Sequence, residues 1–406
     1  MIRQRLLQDK VLCIFCDNEV GTRTKPEHIL LDALGGRMTT KWADCNHCNQ
    51  SFGGTIDKVL PEQLRMLRNM FQMKSGSGQP PPGLSKILAS TGTITLDSRG
   101  RPKRVGGKPF TITPLGNERY DVSFSVDSME EFRKYVAHAA AAIGVTEDHF
   151  WAKIEGQYAS FQNEYPGTLH SRIQCGGEEV VRSMVKSSLV LLATRVGTMP
   201  LKDAAFAQAR DFVVKGSEDF LQCFTTVDAR DFPESAYQYL LENHGPMFNL
   251  IYVRSDDYGR TLAYYHAFNI ASWQMVLAEK GGPRNIEIGL ASDPLNPARW
   301  DGDLAAKVSL DFDWLNAPDG SRLNDVSLAR VSTVLKLHQD VSRERTIHNV
   351  LNDVLGHYYD EGDMIEMDEK GRAAIIEISQ KLVAALMQIP TKEKFLLRRS
   401  KQPGAE

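Results

Sequence analysis

The sequence predicts an α+β fold in two unequal parts, and three observations predict it. The first seventy or so residues are dense in Cys, His and Gly, with apolar residues only in short pieces. Beyond a Gly/Ser/Pro tract, short alternating runs separated by turn residues read as antiparallel strands. Long stretches with apolar residues at helical spacing, at 178–196 and from 324 onward, supply the α component. A chain of 406 residues, 42% hydrophobic and 24% charged, has enough apolar mass for a sizeable core and is not wholly disordered. Division by about 150 residues per domain gives two or three units.

In chain order, the segment from Cys13 to about Met73 ends in a helix, because Ile56, Val59, Leu60, Leu64, Leu67 and Met70 share one face. Pro61 sits in its first turn or divides it. Lys74 to Gly83, KSGSGQPPPG, has no capacity to form a core and reads as a linker. Residues 92–96, 109–114 and 120–126 predict a small antiparallel meander turned at Asp97–Gly100. Asp127 or Ser128, followed three residues on by Glu130 or Glu131, is a capping-box pattern opening a helix through Ile143. A second helix over 178–196 has Val181, Met184, Val185, Leu189, Leu192 and Val196 as its buried stripe, and Gly197 suits its end. Residues 248–253, 261–268 and 271–277 predict three adjacent strands, the first pair turned by Asp256–Gly259. From Asn324 onward the pattern is mostly helical, with a frayed tail at Gln402–Glu406. The expected division is thus 1–73, a linker over 74–86, and a larger α+β domain over 87–406, with a subdivision open near 200–245.

Charge is unevenly spread. Residues 1–108 hold 17 Lys+Arg against 9 Asp+Glu, and the rest hold 31 against 42, although the whole chain carries only −3. A basic front that meets a polyanion and an acidic rear that does not is the reading this favours over chance. No apolar run approaches the ~18 residues a membrane span needs. Met1–Lys10 has no apolar stretch behind its charges, so no signal peptide is visible and a cytoplasmic setting is expected. Six cysteines make no disulfide framework.

Four of the six fall in two C-x-x-C knuckles, Cys13/Cys16 and Cys45/Cys48, with 28 residues between them. Two knuckles are a strong signal for a closed, structural four-thiolate zinc site, which pins a segment too small to hold itself by burial. Cys175 and Cys223 stand alone and read as core thiols. A closed zinc site performs no chemistry, so any reaction must come from other residues. Glu27-His28 lies between the knuckles and Asn49 directly follows the second. A carboxylate and an amide oxygen are hard ligands suited to one hydrated Mg²⁺ or Mn²⁺, and a neutral imidazole suits proton removal from water. The rival reading makes Glu27 a surface charge, His28 a structural histidine and Asn49 a residue at a helix N-terminus.

The run CIFC, KPEHILLDALGG and CNHCNQSFGGTID resembles the zinc-knuckle branch of the HNH endonuclease superfamily, with its ββα-metal fold, and in particular endonuclease-VII-like and free-standing bacterial HNH proteins. The likeness covers about Cys13–Leu64. It implies that Cys13, Cys16, Cys45 and Cys48 hold structural zinc, that Glu27 and Asn49 ligate a catalytic divalent metal, and that His28 is the general base. The family often has Asp where Glu27 stands. Its middle Asn has no clear counterpart, which leaves Thr40 or a backbone carbonyl to orient His28. Asp57 caps a helix or approaches the metal, and capping is favoured. His47 reads as a surface residue. Gly35-Gly36 permits the turn between the motif's strands, and Arg23, Lys25, Arg37, Lys41 and Lys58 supply charge for phosphate.

Residues 244–277 loosely resemble the β-rich rear of other free-standing HNH proteins. Tyr264, Tyr265, His266 and Trp273 form a recognition surface or, more simply, half-buried strand positions. The expected activity is metal-dependent hydrolysis of DNA phosphodiesters, in a defence or mobile-element setting. Residues 87–406 would provide specificity, regulation or binding of a partner or ligand, and homo-oligomerisation stays open. The alternative is a zinc-knuckle nucleic-acid-binding protein that does not cleave.

Overall fold

Four sulfurs and a hairpin only two residues deep organise the front of the chain. The computed structural model describes residues 11–386 and 392–396, except 22, 91, 106–107, 118, 127–128, 157, 163–166, 361 and 365. The expected frayed tail and the capping-box residues Asp127 and Ser128 lie outside the described residues. Glu27–His28 pairs antiparallel with Thr39–Thr40, Glu27 opposite Thr40 and His28 opposite Thr39. Between them Gly35 turns the chain at φ +89°, which suits glycine, and Gly36 packs where a Cβ would lie 1.8 Å from the Leu30 carbonyl oxygen. Helix Asn46–Gly54 follows. The single helix expected over 56–70 is instead a 3₁₀ turn, Ile56–Lys58, and two short helices, Val59–Gln63 and Arg65–Met70, broken at Leu64 (ψ 7°). Pro61 is tolerated because it lies in the first turn of the first of these.

One compact unit comprises Met1–Leu84, Ser98–Gly100 and Arg172–Gln339; the other comprises Ser85–Asp97, Arg101–Ser171 and Asp340–Glu406. The chain is therefore grouped differently from the expected division at 74–86. The physical reason is a shared core: Leu60, Leu64 and Leu67 of the front segment belong to the same apolar cluster as Val181, Met184, Leu189, Ile251 and Tyr265. Residues 74–83 form a loop, but not a free one, because Ser77 donates to the Asp32 carboxylate through its backbone N (2.7 Å) and its hydroxyl (3.0 Å), and strand Leu84–Ala89 takes up the rest of the expected linker.

Helix Glu178–Val196 runs through this unit with Gly177 and Gly197 at its ends. Only one stripe was expected to be buried, yet nearly every residue from Val180 to Ala193 is, including Ser183, Lys186, Ser187 and Ser188. A six-stranded antiparallel sheet packs in the same unit, in the order Thr225–Asp228, Ala271–Ala278, Thr261–Ala267, Asn249–Ser255, Glu287–Ser292, Trp300–Asp301. Its three central strands are those expected. Asp256 sets the turn between two of them by accepting from Tyr258 N and Arg260 N, each at 2.8 Å. Alternate residues serve two cores: Ile251, Val253, Ala263 and Tyr265 face the cluster shared with the front segment, while Leu250, Tyr252, Leu262 and Tyr264 face Phe232, Leu304 and Leu315. With both faces covered, Tyr264, Tyr265, His266 and Trp273 are buried and present no recognition surface. Cys223 is exposed at the end of a short helix, which corrects its reading as a core thiol.

In the second unit the expected meander is two separate pieces. Gly92–Leu96 lies in a four-stranded sheet with Pro102–Arg104, Leu84–Ala89 and Leu169–His170, whereas Phe110–Gly116 and Arg119–Phe124 form a hairpin of their own. Helices Met129–Ala142 and Glu147–Ile154 share a small core of Val136, Ala139, Phe150 and Trp151 with that hairpin's Phe110, Val122 and Phe124. The helical rear is formed by Leu323–Tyr358, which begins in the first unit's residue range, and Glu369–Leu386. Among the described residues no helix is long and apolar enough to cross a membrane.

Candidate metal centre and active site

The first knuckle closes a turn in which Cys13 N donates to Asn18 O at 2.9 Å, and the second starts helix Asn46–Gly54 with Cys45 as its N-cap residue. The four Sγ atoms all lie within 4.8 Å of one another, and Cys16 is 3.6 Å from both Cys45 and Cys48. Four sulfurs about 2.3 Å from a tetrahedral zinc are separated by about 3.8 Å, so the cluster fits a structural zinc site. None of the four is in a disulfide. Their crowding is visible in their acidities: the Cys48 thiol's hydrogen bond brings Cys13 down to about 5, and the same contact, followed by burial, pushes Cys48 upward. Lys202 closes the outside of the knuckle, donating to Cys16 O (2.8 Å), Cys13 O (3.4 Å) and the Asp17 carboxylate (2.7 Å). Neither Lys202 nor its helical turn stands in the knuckle segment, so sequence spacing offered no pointer to it.

Beside this cluster lies a cavity of about 380 Å³ whose walls include Glu27, His28, Asp32, Asn49, Asp57, Lys58 and Arg68. The hairpin brings Glu27 and His28 to it, and helix Asn46–Gly54 brings Asn49, because the second knuckle is the first turn of that helix. Glu27, His28 and Asn49 are thus gathered at one cavity. The rival reading of Glu27 as a surface charge fails, since it is 6% exposed. Burial holds the His28 imidazole below its ordinary pKa, with Asp32 pulling the other way and Lys186 reinforcing the depression. Its Nε2 is 3.6 Å from the Asp32 carboxylate, which the Ser77 loop fixes in turn. Thr40 does not orient the imidazole: its hydroxyl accepts from Trp42 N at 3.2 Å. The group facing His28 is therefore Asp32, four residues on, a spacing visible in the sequence but not distinguished there from an ordinary polar residue.

Asp57 is not a helix cap. Its carboxylate accepts from Ser183 Oγ (2.6 Å) and from Lys186 Nζ (2.5 Å), both on helix Glu178–Val196. The same ammonium bonds Glu27 Oε1. Lys186 is wholly buried; burial alone would lower its pKa, but Asp57 and Glu27 outweigh that and the net direction is upward, so it is charged. Asp44, 1% exposed and with neither oxygen hydrogen-bonded among the described residues, is pushed up to about 8 by burial and then by Glu27. A polar residue within a predominantly apolar helix was the sole sequence trace of Lys186.

The donor set also bears on a divalent cation. The Glu27 and Asn49 side chains line the same cavity, and among the described residues the buried Asn49 Nδ2 has no hydrogen-bond partner, so no bond to that nitrogen fixes which end of the amide faces the cavity. A carboxylate and an amide fit a hard cation with retained water. No curated protein and no solved structure matches the chain. Residues 13–65 match the family model described as HNH endonuclease, a span that holds all four knuckle cysteines together with Glu27, His28, Asn49 and Asp57. The chain carries, over residues 13–65, an HNH-type zinc-knuckle domain of the endonuclease superfamily.

Proposed function

We propose that the protein is a metal-dependent endonuclease hydrolysing DNA phosphodiesters, with His28 as general base and Glu27 and Asn49 as the residues that hold one divalent cation. The observation that supports this reading is the single cavity bounded by Glu27, His28 and Asn49 with Lys58 and Arg68 beside them. Lys58 supplies positive charge for a phosphate backbone, while the buried Arg68 adds a fixed charge in the cavity wall. His28, neutral at pH 7, takes the proton from a water molecule attacking phosphorus. Asp32, 3.6 Å from Nε2, stabilises the imidazolium that results. Mg²⁺ or Mn²⁺ bound at Glu27 and Asn49 would supply charge neutralisation at the phosphate oxygens. The products are a 3′-hydroxyl and a 5′-phosphate. Supercoiled plasmid incubated with the protein and either cation tests the reading: nicking or linearisation is expected, and full activity in His28→Ala would overturn the base assignment. A non-cleaving nucleic-acid binder is favoured by one observation, the Lys186 ammonium lodged on Glu27; intact plasmid shifted in a gel under every cation condition would select it.

A further inference from the structure

The acid pair beside the cavity already has a cation, and the chain itself provides it. Lys186 has 0% of its side chain exposed, and its Nζ meets Glu27 Oε1 and, at 2.5 Å, Asp57 Oδ2. Ser183, one turn earlier on the same helix, holds the other Asp57 oxygen at 2.6 Å. The Phe52 ring lies 5.8 Å from the ammonium. Burying an ammonium this completely is unfavourable unless its partners are well placed, and here two carboxylates converge on one nitrogen. Glu27 is also a wall of the cavity and the carboxylate assigned to the divalent cation.

We propose that Lys186 is a positioning residue that competes with the divalent cation for Glu27 and Asp57, shaping the pair in advance and weakening the site's affinity for the cation. The inference rests on the nuclease reading, since it needs a divalent cation at Glu27. The ammonium and the incoming ion draw on the same negative charge, so each lowers the other's hold, and the coupling is reciprocal. A lysine with only a structural role has the opposite signature: without it the carboxylates lose their fixed positions and the cation binds less well. The sign of the change therefore separates the two roles.

The test is Mn²⁺ binding to the zinc-loaded full-length protein, followed by calorimetry and by electron paramagnetic resonance of free Mn²⁺. Lys186→Met is expected to bind Mn²⁺ about tenfold more tightly, within the usual range of a coupling between sites, while Lys186→Arg stays close to the parent and zinc content is unchanged. Unchanged or weaker binding by Lys186→Met overturns the inference. Because that variant leaves two buried acids without a counter-charge, Asp57→Asn is compared in parallel with the double variant Lys186→Met/Asp57→Asn, which removes one charge of each sign. The double variant is expected to bind about fivefold more tightly than Asp57→Asn, and equal affinities overturn the proposal. Absence of Mn²⁺ binding in every protein, the parent included, overturns the cation assignment and takes the inference with it. A parent that binds while Lys186→Met gains nothing overturns the inference alone.

Discussion

The four-thiolate cluster and the acid cluster of Glu27 and Asp57 are built on opposite plans. The four-thiolate cluster draws all its ligands from Cys13–Cys48, and its 3.6 Å sulfur–sulfur edges already match a tetrahedral ion. The acid cluster draws Glu27 from within that stretch and Asp57 from just beyond it, and is completed by Lys186 and Ser183, more than a hundred residues further on. A site that only has to hold an ion can be self-contained, because soft ligands in fixed knuckles specify both the metal and its geometry. Under the proposed function the acid cluster must exchange ligands, and its carboxylates are held by Lys186 and Ser183 from the second half of the unit.

The largest expected effect strikes the self-contained cluster. Cys45→Ala should abolish zinc retention and unfold the front segment, read as zinc released into a chelator and as new protease cleavage between residues 11 and 84. Zinc retained at the parental level would break the contrast drawn above. The next effect belongs to the acid cluster alone. His28→Ala should lower plasmid cleavage by about 10²- to 10⁴-fold while zinc content and melting temperature hold, as expected for loss of a general base. A smaller change sharpens the role of its neighbour: Asp32→Asn should cost about tenfold in kcat with little change in KM, because it removes the charge facing the imidazolium. Last, Lys202→Met should destabilise the unit by about 1 kcal/mol, since it removes the donor to the Cys16 carbonyl, while the exposed Asp17 carboxylate keeps its water. A fall several times larger in chemical denaturation would mean that the knuckle leans on the rear of the chain as much as the acid site does.

Legibility from sequence followed the same divide. The knuckles were readable because their spacing is local, and the gathering of Glu27, His28 and Asn49 at one cavity follows from that spacing; helix Glu178–Val196 was placed by its apolar period and by Gly197. The function of that helix was not readable. Periodicity identifies an apolar stripe but gives no account of a helix buried all round, in which Ser183 and Lys186 point at acids distant in sequence. Asp57 was misread for the same reason: a carboxylate at the start of a helical stretch usually caps it, and a ligand from another element overrode that preference. Thr40 was a positional guess for a missing amide, whereas Asp32 took its place through a contact with Ser77 that the Gly/Ser tract concealed. Residues 74–83 are without regular structure, as their composition implies, yet flexible composition does not prevent a few backbone donors from anchoring such a loop.

The way Leu60, Leu64 and Leu67 are buried bears on how this protein can be taken apart. Severed after residue 84, the front piece would bare that leucine ridge to solvent and keep two acids with no lysine between them. It is no cassette to be transplanted onto another carrier. Engineering and purification alike must treat the knuckle segment and the helix behind it as one part.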